Sequence, residues 1–219
     1  IKKKYLPDHD LNKSILGNDQ WNWFTEQIND SYDILLILSS IQLIPTEHGW
    51  EKWFNFPHER ERILKLINDR KKLTIILSGD RHVGAIYKYN DLVYEVTSSS
   101  FNQRILEFKE NDKYSLGEIV NQNNFGLMHI NTLEKKINID LRTGSLDQNK
   151  VLKNLKLKFY FFFNISSAML TLLNFSLTKF GIALFSSILS RVFHCSLEIK
   201  TNLLVIIFSF SFSVESFFV

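Results

Sequence analysis

The chain of 219 residues holds a single cysteine, Cys195, which excludes an internal disulfide and a zinc site built on several thiolates. It also lacks a strong charge bias. A formal net charge of +3 is too small to argue for nucleic acid as a binding partner. There is no leader pattern at the start, because Lys2-Lys3-Lys4 runs into a polar loop rather than an apolar core. The chain opens on Ile1 instead of Met, as a fragment, a processed chain or an incomplete gene model does. No Gly-x-Ser-x-Gly elbow occurs, so Ser40 is a poor nucleophile.

One further absence divides the chain. All 11 aspartates and 21 of the 23 acidic residues lie in residues 1–158, whereas residues 159–219 keep only Glu198 and Glu215 and hold 13 of the 19 phenylalanines. The first part reads as a globular domain of ordinary size, residues 1–150. The remainder, residues 151–219, reads as an apolar tail.

Within the first part the pattern alternates between helix and buried strand. Residues 18–30 predict a helix capped by Asn18, with Trp21, Phe24 and Ile28 near one face. Residues 33–38 are a short continuous apolar run, as in a strand covered on both faces. Pro57 suits a first helical position, and residues 57–69 follow with Ile63, Leu64 and Ile67 facing inward. The first turn of that helix is polar and charged (His58, Glu59, Arg60). Residues 73–78 are a second buried strand. Residues 84–89 and 92–97 predict a hairpin around Asn90-Asp91, and 127–131 with 136–141 predict a second strand pair before a turn at Gly144. The order argues for an α/β layered domain.

Chemistry concentrates where the second strand ends, in Leu77-Ser78-Gly79-Asp80-Arg81-His82. In an extended turn, side chains two apart point the same way, so Asp80 and His82 would face one cavity. A carboxylate and a neutral imidazole are metal-ligand types, and Gly79 permits a tight turn. On its own the run fits equally an Asp-turn with a surface His. Ser40 and Gln42 follow the first strand, where α/β sheets gather ligands. Capping of the loop is their plainer reading. Asp8-His9-Asp10 reads as solvated loop; His48, His58 and His129 read as surface or packing residues; Cys195, in the tail, reads as inert.

A series of blocks then stands out: Leu16-Gly17-x-x-Gln20-Trp21-x-Trp23-Phe24, Ser39-Ser40-Ile41-Gln42, Glu51-x-Trp53-x-Asn55-Phe56-Pro57-x-Glu59-Arg60, Leu77–His82, Tyr94-Glu95-Val96-Thr97-Ser98-Ser99 and Asn124-Phe125-Gly126. In this order and spacing, residues 5–145 resemble the C-terminal half of the PhoD-like (alkaline phosphatase D) metallophosphatases. The resemblance implies a calcineurin-like α/β/β/α sandwich, here truncated at its N-terminal half. It implies hydrolysis of phosphomonoesters or phosphodiesters by a two-metal centre, iron with calcium. Asp80 and His82 would be metal ligands. Ser40, Gln42 and Arg81 would at most line the substrate side, because related enzymes carry a ligand His near Ser39–Gln42 and this chain has none there. Ser100 stands where the family often has Gly. The family's other ligand blocks, with several Asp, a Tyr and an Asn, precede the point where this chain starts. The competing expectation is a non-catalytic truncated domain that packs on a partner or a membrane.

The tail carries the runs Phe159–Phe163, Phe180–Leu189 and Leu203–Phe212, each shorter than or interrupted within a span of about 20 residues. It reads as a membrane anchor or hairpin flanked by Lys153, Lys156 and Lys158, as out-of-frame translation of an AT-rich gene, or as a buried helix pair.

Overall fold

The computed structural model describes residues 5–28, 32–101, 109–143 and 150–160, and the backbone of 203–208. The chain divides into two units, one of Ile1–Phe159 with Asn202–Val219 and one of Tyr160–Thr201. The second lies outside the described residues except for Tyr160, as do Gly144, Cys195 and the runs at 161–163 and 180–189.

The described part is mixed α/β. Helix α1 spans Gly17–Gln27 and α2 spans Pro57–Asp69. A five-stranded sheet has the order β3-β4-β2-β1-β8, where β1 is Ile34–Ser39, β2 Leu73–Ser78, β3 Gly84–Lys88, β4 Val93–Ser98 and β8 Leu203–Phe208. Strands β8, β1, β2 and β4 run parallel, and β3 returns antiparallel along β4. A separate antiparallel sheet orders β5 (Asn124–Asn131), β6 (Lys136–Thr143) and β7 (Val151–Lys158). Among the described residues no helix is long and apolar enough to cross a membrane.

The continuous apolar runs of β1 and β2 are explained by burial on both faces. On one face Leu35, Ile37 and Ile76 pack in a core with Trp21 and Phe24 of α1 and Ile63, Leu64 and Ile67 of α2. On the other, Ile34, Leu36 and Ile75 are equally buried. Strand β6 alternates instead, burying Ile137, Ile139 and Leu141 between polar neighbours.

Two local expectations are corrected. Asn18 does not cap α1; it lies inside the first turn, and the Ser14 hydroxyl accepts from the Gly17 amide at 2.8 Å in the cap's stead. Gly17 takes φ +70° there, which suits a residue without Cβ. The helix also ends early, at Gln27, where Ile28 turns extended. The charged first turn of α2 lies partly in the interior. Glu59 and Arg60 are buried. Glu59 accepts from the Ser14 hydroxyl, the Ile15 and Leu16 amides and the Trp21 indole at 2.8–3.4 Å. It thereby ties the loop before α1, and α1 itself, to α2.

Glu59→Ala leaves those four donors without their acceptor, the Leu16 amide and the Trp21 indole in the interior. It should lower unfolding free energy by about 3 kcal/mol, read as a drop in the urea midpoint. A loss below about 0.5 kcal/mol, the level of an ordinary surface substitution, would contradict this role.

Candidate functional site

The parallel strands end level. Ser39 of β1 is in register with Ser78 of β2, and Ser78 with Thr97 of β4. The residues that follow, Ser40, Gly79-Asp80 and Ser98-Ser99, therefore form one row at the carboxyl ends of the strands, where α/β sheets place ligands. A Cβ on Gly79 would lie 3.6 Å from the Ser40 carbonyl oxygen and 3.9 Å from Ser99 Cβ. The row is close-packed.

The turn after β2 is tighter than the extended form expected from sequence. Asp80 and His82 both take left-handed backbone, φ 64° and 54°, and the Arg81 amide donates to the Gly79 carbonyl at 2.8 Å. Such conformations cost non-glycine residues of order 1–3 kcal/mol each and gather at functional sites. The outcome still sets Asp80 and His82 on the open side and Arg81 inward, 3% exposed. Partial burial and the Glu51 carboxylate raise the Asp80 carboxyl, and the neighbouring His82 and Arg81 oppose this. Glu51, which opens one of the sequence blocks but had no site role there, is thus a second carboxylate beside the turn. It follows from the bridge that lays Lys52 parallel to Gln42. The Tyr5 phenol, hydrogen-bonded to Glu51, is raised by that contact first.

Arg81 meets Glu110 at 2.8 Å, both side chains being almost fully buried. The Tyr87 hydroxyl donates to Glu110 at 3.2 Å, and the Gln42 amide donates to Tyr87 and to Thr97 at 3.2 and 2.7 Å. Arg81 and Gln42 are therefore internal members of a polar network beneath the row, not open lining. His48 also lies inside. Its Nδ1 accepts from the Trp50 amide at 3.2 Å. Burial, aided by Arg81 and Lys52, pushes its pKa down to about 2, so it is neutral. The Lys52 ammonium is buried beside it and donates to the His48 and Trp50 carbonyls. Three polar atoms of this one loop, Ser40 Oγ, Gln42 Oε1 and His48 Nε2, are buried with no hydrogen-bond partner among the described residues.

The loop is clamped from two sides. Fully buried Glu95 of β4 accepts from the Leu43 amide at 3.1 Å and the Ile44 amide at 2.6 Å. Arg60 donates to the carbonyls of the same two residues. Burial pushes the Glu95 carboxyl up to about 7, against the pull of the Ser78 hydroxyl, the two amides and Arg60. Sequence gave no signal for this role beyond one carboxylate in an apolar run.

As metal donors, Asp80 and His82 have the right chemistry, a hard oxygen and an imidazole nitrogen. Among the described residues, no three or more His, Cys, Asp or Glu side chains come together to hold an ion. The fit is to part of a coordination shell. The remaining sequence candidates stand apart: Asp8 pairs with Lys13 at 2.6 Å, Asp10 accepts from the Asn12 amide, and His58 bonds the Lys13 carbonyl oxygen at 2.9 Å. His129 is exposed on β5.

Fold and strand-end row define a mixed α/β protein with a carboxylate and an imidazole presented on a strained turn. Residues 2–148 match the PhoD-like phosphatase family, and the chain belongs to that family. Among solved structures it is similar to GAP50, the anchor in the inner membrane complex of Plasmodium, with a TM-score of 0.54 and 14% identity over 65% of this chain and 43% of that one. A structure of PhoD aligns with a TM-score of 0.43 and 13% identity, over 67% of this chain and 33% of that one. The chain thus spans less than half the length of either. No curated protein sequence matches it.

The raised Glu95 carboxyl gives a pH prediction. Its pKa is about 7 in the fold against 4.5 for the free side chain. The protonated form is favoured on folding. That contribution is complete below pH 4.5 and is lost as pH rises through 7, up to about 3 kcal/mol. Urea midpoints should therefore fall between pH 5 and pH 8 in the wild type and stay nearly level in Glu95→Gln. Equal slopes in the two proteins would contradict the assignment.

Proposed function

We propose that the protein to which this chain belongs is a metal-dependent phosphoester hydrolase, and that Asp80 and His82 supply ligands to its metal centre. The observation that carries the reading is the Asp80/His82 pair on a strained turn at level parallel-strand ends, in a chain of the PhoD-like phosphatase family. The calcineurin-like layered sandwich is the architecture this reading expects of the intact domain. Iron with calcium is the expected metal pair. Bound there, the metals would polarise the phosphate and lower the pKa of a water nucleophile.

This chain's own residues hold the ligands in place. The Arg81–Glu110 pair pins the centre of the turn in the interior, so that the residues on either side project outward. The Gln42–Tyr87–Glu110 network and the Glu95 clamp fix the adjoining loop. Glu51 places negative charge beside Asp80, which suits a site that takes a cation. Ser40 Oγ, in the row, and Gln42 Oε1, beneath it, have no hydrogen-bond partner among the described residues. Two ligands do not hold a pair of cations against water, so the 219-residue chain alone would hydrolyse little. The substrate class is a phosphate ester.

Calorimetric titration with divalent metal, on a protein extended to include the residues that precede Ile1, tests the reading. Asp80→Ala with His82→Ala should abolish one binding event. Both phosphatase turnover and metal affinity should fall at least a hundredfold. Unchanged affinity in the double variant would sink the ligand assignment, and turnover by the 219-residue chain above metal-only controls would overturn the view that it is incomplete.

A further inference from the structure

The pole of the large sheet opposite the strand-end row has a composition of its own. Ile34, where β1 begins, is in register with Leu73 of β2 and Leu203 of β8. The segment Arg70-Lys71-Lys72 leads into β2 here, and buried Arg70 donates to the Tyr32 carbonyl at 2.8 Å. Strand β5 starts beside the strand-end row, where Asn124 bridges Ser100, and runs back antiparallel past Ser98, so the turn between β5 and β6 lies towards this pole. Partial burial raises the Asp33 carboxyl, and the cations of Lys72, Arg70 and Lys135 around it oppose that shift. The end of β7 joins them, because the Phe159 amide donates to the Lys135 carbonyl at 3.1 Å.

Lysines dominate this pole. Lys136 and Lys158 face each other directly across the β6–β7 ladder, and Lys156 stands opposite Asn138 two pairs further in. Like charges opposite one another destabilise a ladder. Lys71 is exposed at φ 52°. The carboxylates nearby are Asp33, Asp69, Asp91 and Glu134; the last three are bonded to Lys65, Lys88 and Lys136. A chain with a net charge of only +3 thus carries a concentrated positive surface at one end.

The course of the chain says what that surface meets. The described fold is left at Tyr160 and re-entered at Leu203, both at this pole. The intervening sequence carries only Lys179, Arg191, Glu198 and Lys200 as charged residues, and 161–178 carries none. Lysines massed where a chain passes into an uncharged, Phe- and Leu-rich stretch match the charge of an anionic lipid surface. A free phosphate or a nucleic acid would account for the lysines but not for that adjoining stretch.

We propose that the pole bearing Lys71, Lys72, Lys135, Lys136, Lys156 and Lys158 docks on an anionic lipid bilayer. The strand-end row, at the opposite ends of β1 and β2, then faces away from the membrane into solvent. This goes beyond the phosphatase reading and does not rest on it.

Co-sedimentation of the full 219-residue chain with vesicles tests it, comparing phosphatidylcholine alone with phosphatidylcholine mixed with phosphatidylserine. The wild type should bind the mixed vesicles more tightly, and less so as salt is raised. Lys136→Gln, Lys156→Gln and Lys158→Gln together should weaken that binding on the order of a hundredfold, about fivefold per lysine. Their binding to phosphatidylcholine alone and their circular dichroism should stay unchanged. Lys13→Gln, in the loop before α1 that bonds His58 in the first turn of α2, should bind as the wild type does. Equal binding of the wild type to both vesicles, or an undiminished triple variant, would overturn the proposal. So would tight, lysine-dependent binding to duplex DNA with none to mixed vesicles.

Discussion

Glu95 accepts the amides of Leu43 and Ile44 while Arg60 donates to the carbonyls of the same residues, and the geometry of the strand-end row hangs from that clamp. A buried carboxylate on β4 and a buried guanidinium on α2 hold one two-residue segment from opposite sides. Neither polar side chain could stay in the interior without the backbone groups it satisfies. The segment in turn could not stay buried without them, because its own amides and carbonyls lie outside any ladder. The clamp fixes where the chain goes after Ser39, and so where Ser40 and Gln42 stand beside Gly79.

From the clamp a chain of polar contacts reaches the candidate ligands. Glu95 and the Gln42 network share β4, through Thr97, which also meets the Ser78 hydroxyl at 2.8 Å. Gln42 leads through Tyr87 and Glu110 to Arg81, the residue between Asp80 and His82. The left-handed backbone on either side of Arg81 is costly by itself. A buried ion pair at its centre is the kind of over-determination that keeps such a turn in one conformation. Rigid support below and two metal-type donors above make the turn suited to a coordination shell.

Much of the scaffold was legible in the sequence. Unbroken apolar runs bounded by turns located β1 and β2 within a residue, Pro57 located the start of α2, and Asn90-Asp91 located the β3–β4 turn. These signals are local, and local periodicity is what a sequence displays. The buried charges were not legible. Glu59, Arg60, Lys52 and Glu95 look like surface residues because their partners are backbone groups or side chains 2 to 52 positions away. The Asn18 cap failed because Ser14, in the preceding loop, reaches the Gly17 amide first. At the site, the motif identified Asp80 and His82, but nothing in it told that Arg81 turns inward or that Glu51 comes alongside through the Gln42–Lys52 bridge.

On the proposed function, the turn Gly79–His82 is where this chain meets metal. Titration with manganese, followed by paramagnetic broadening of backbone amide signals, addresses it residue by residue on the chain as it stands, even where binding is weak. The amides of Gly79, Asp80, Arg81 and His82 should broaden first, followed by those of Ser40 and Ile41 after the neighbouring strand end. Broadening that begins at the acidic loop Asp8–Asp10, or that reaches the Asp80 turn no sooner than the remote strand β6, would contradict it.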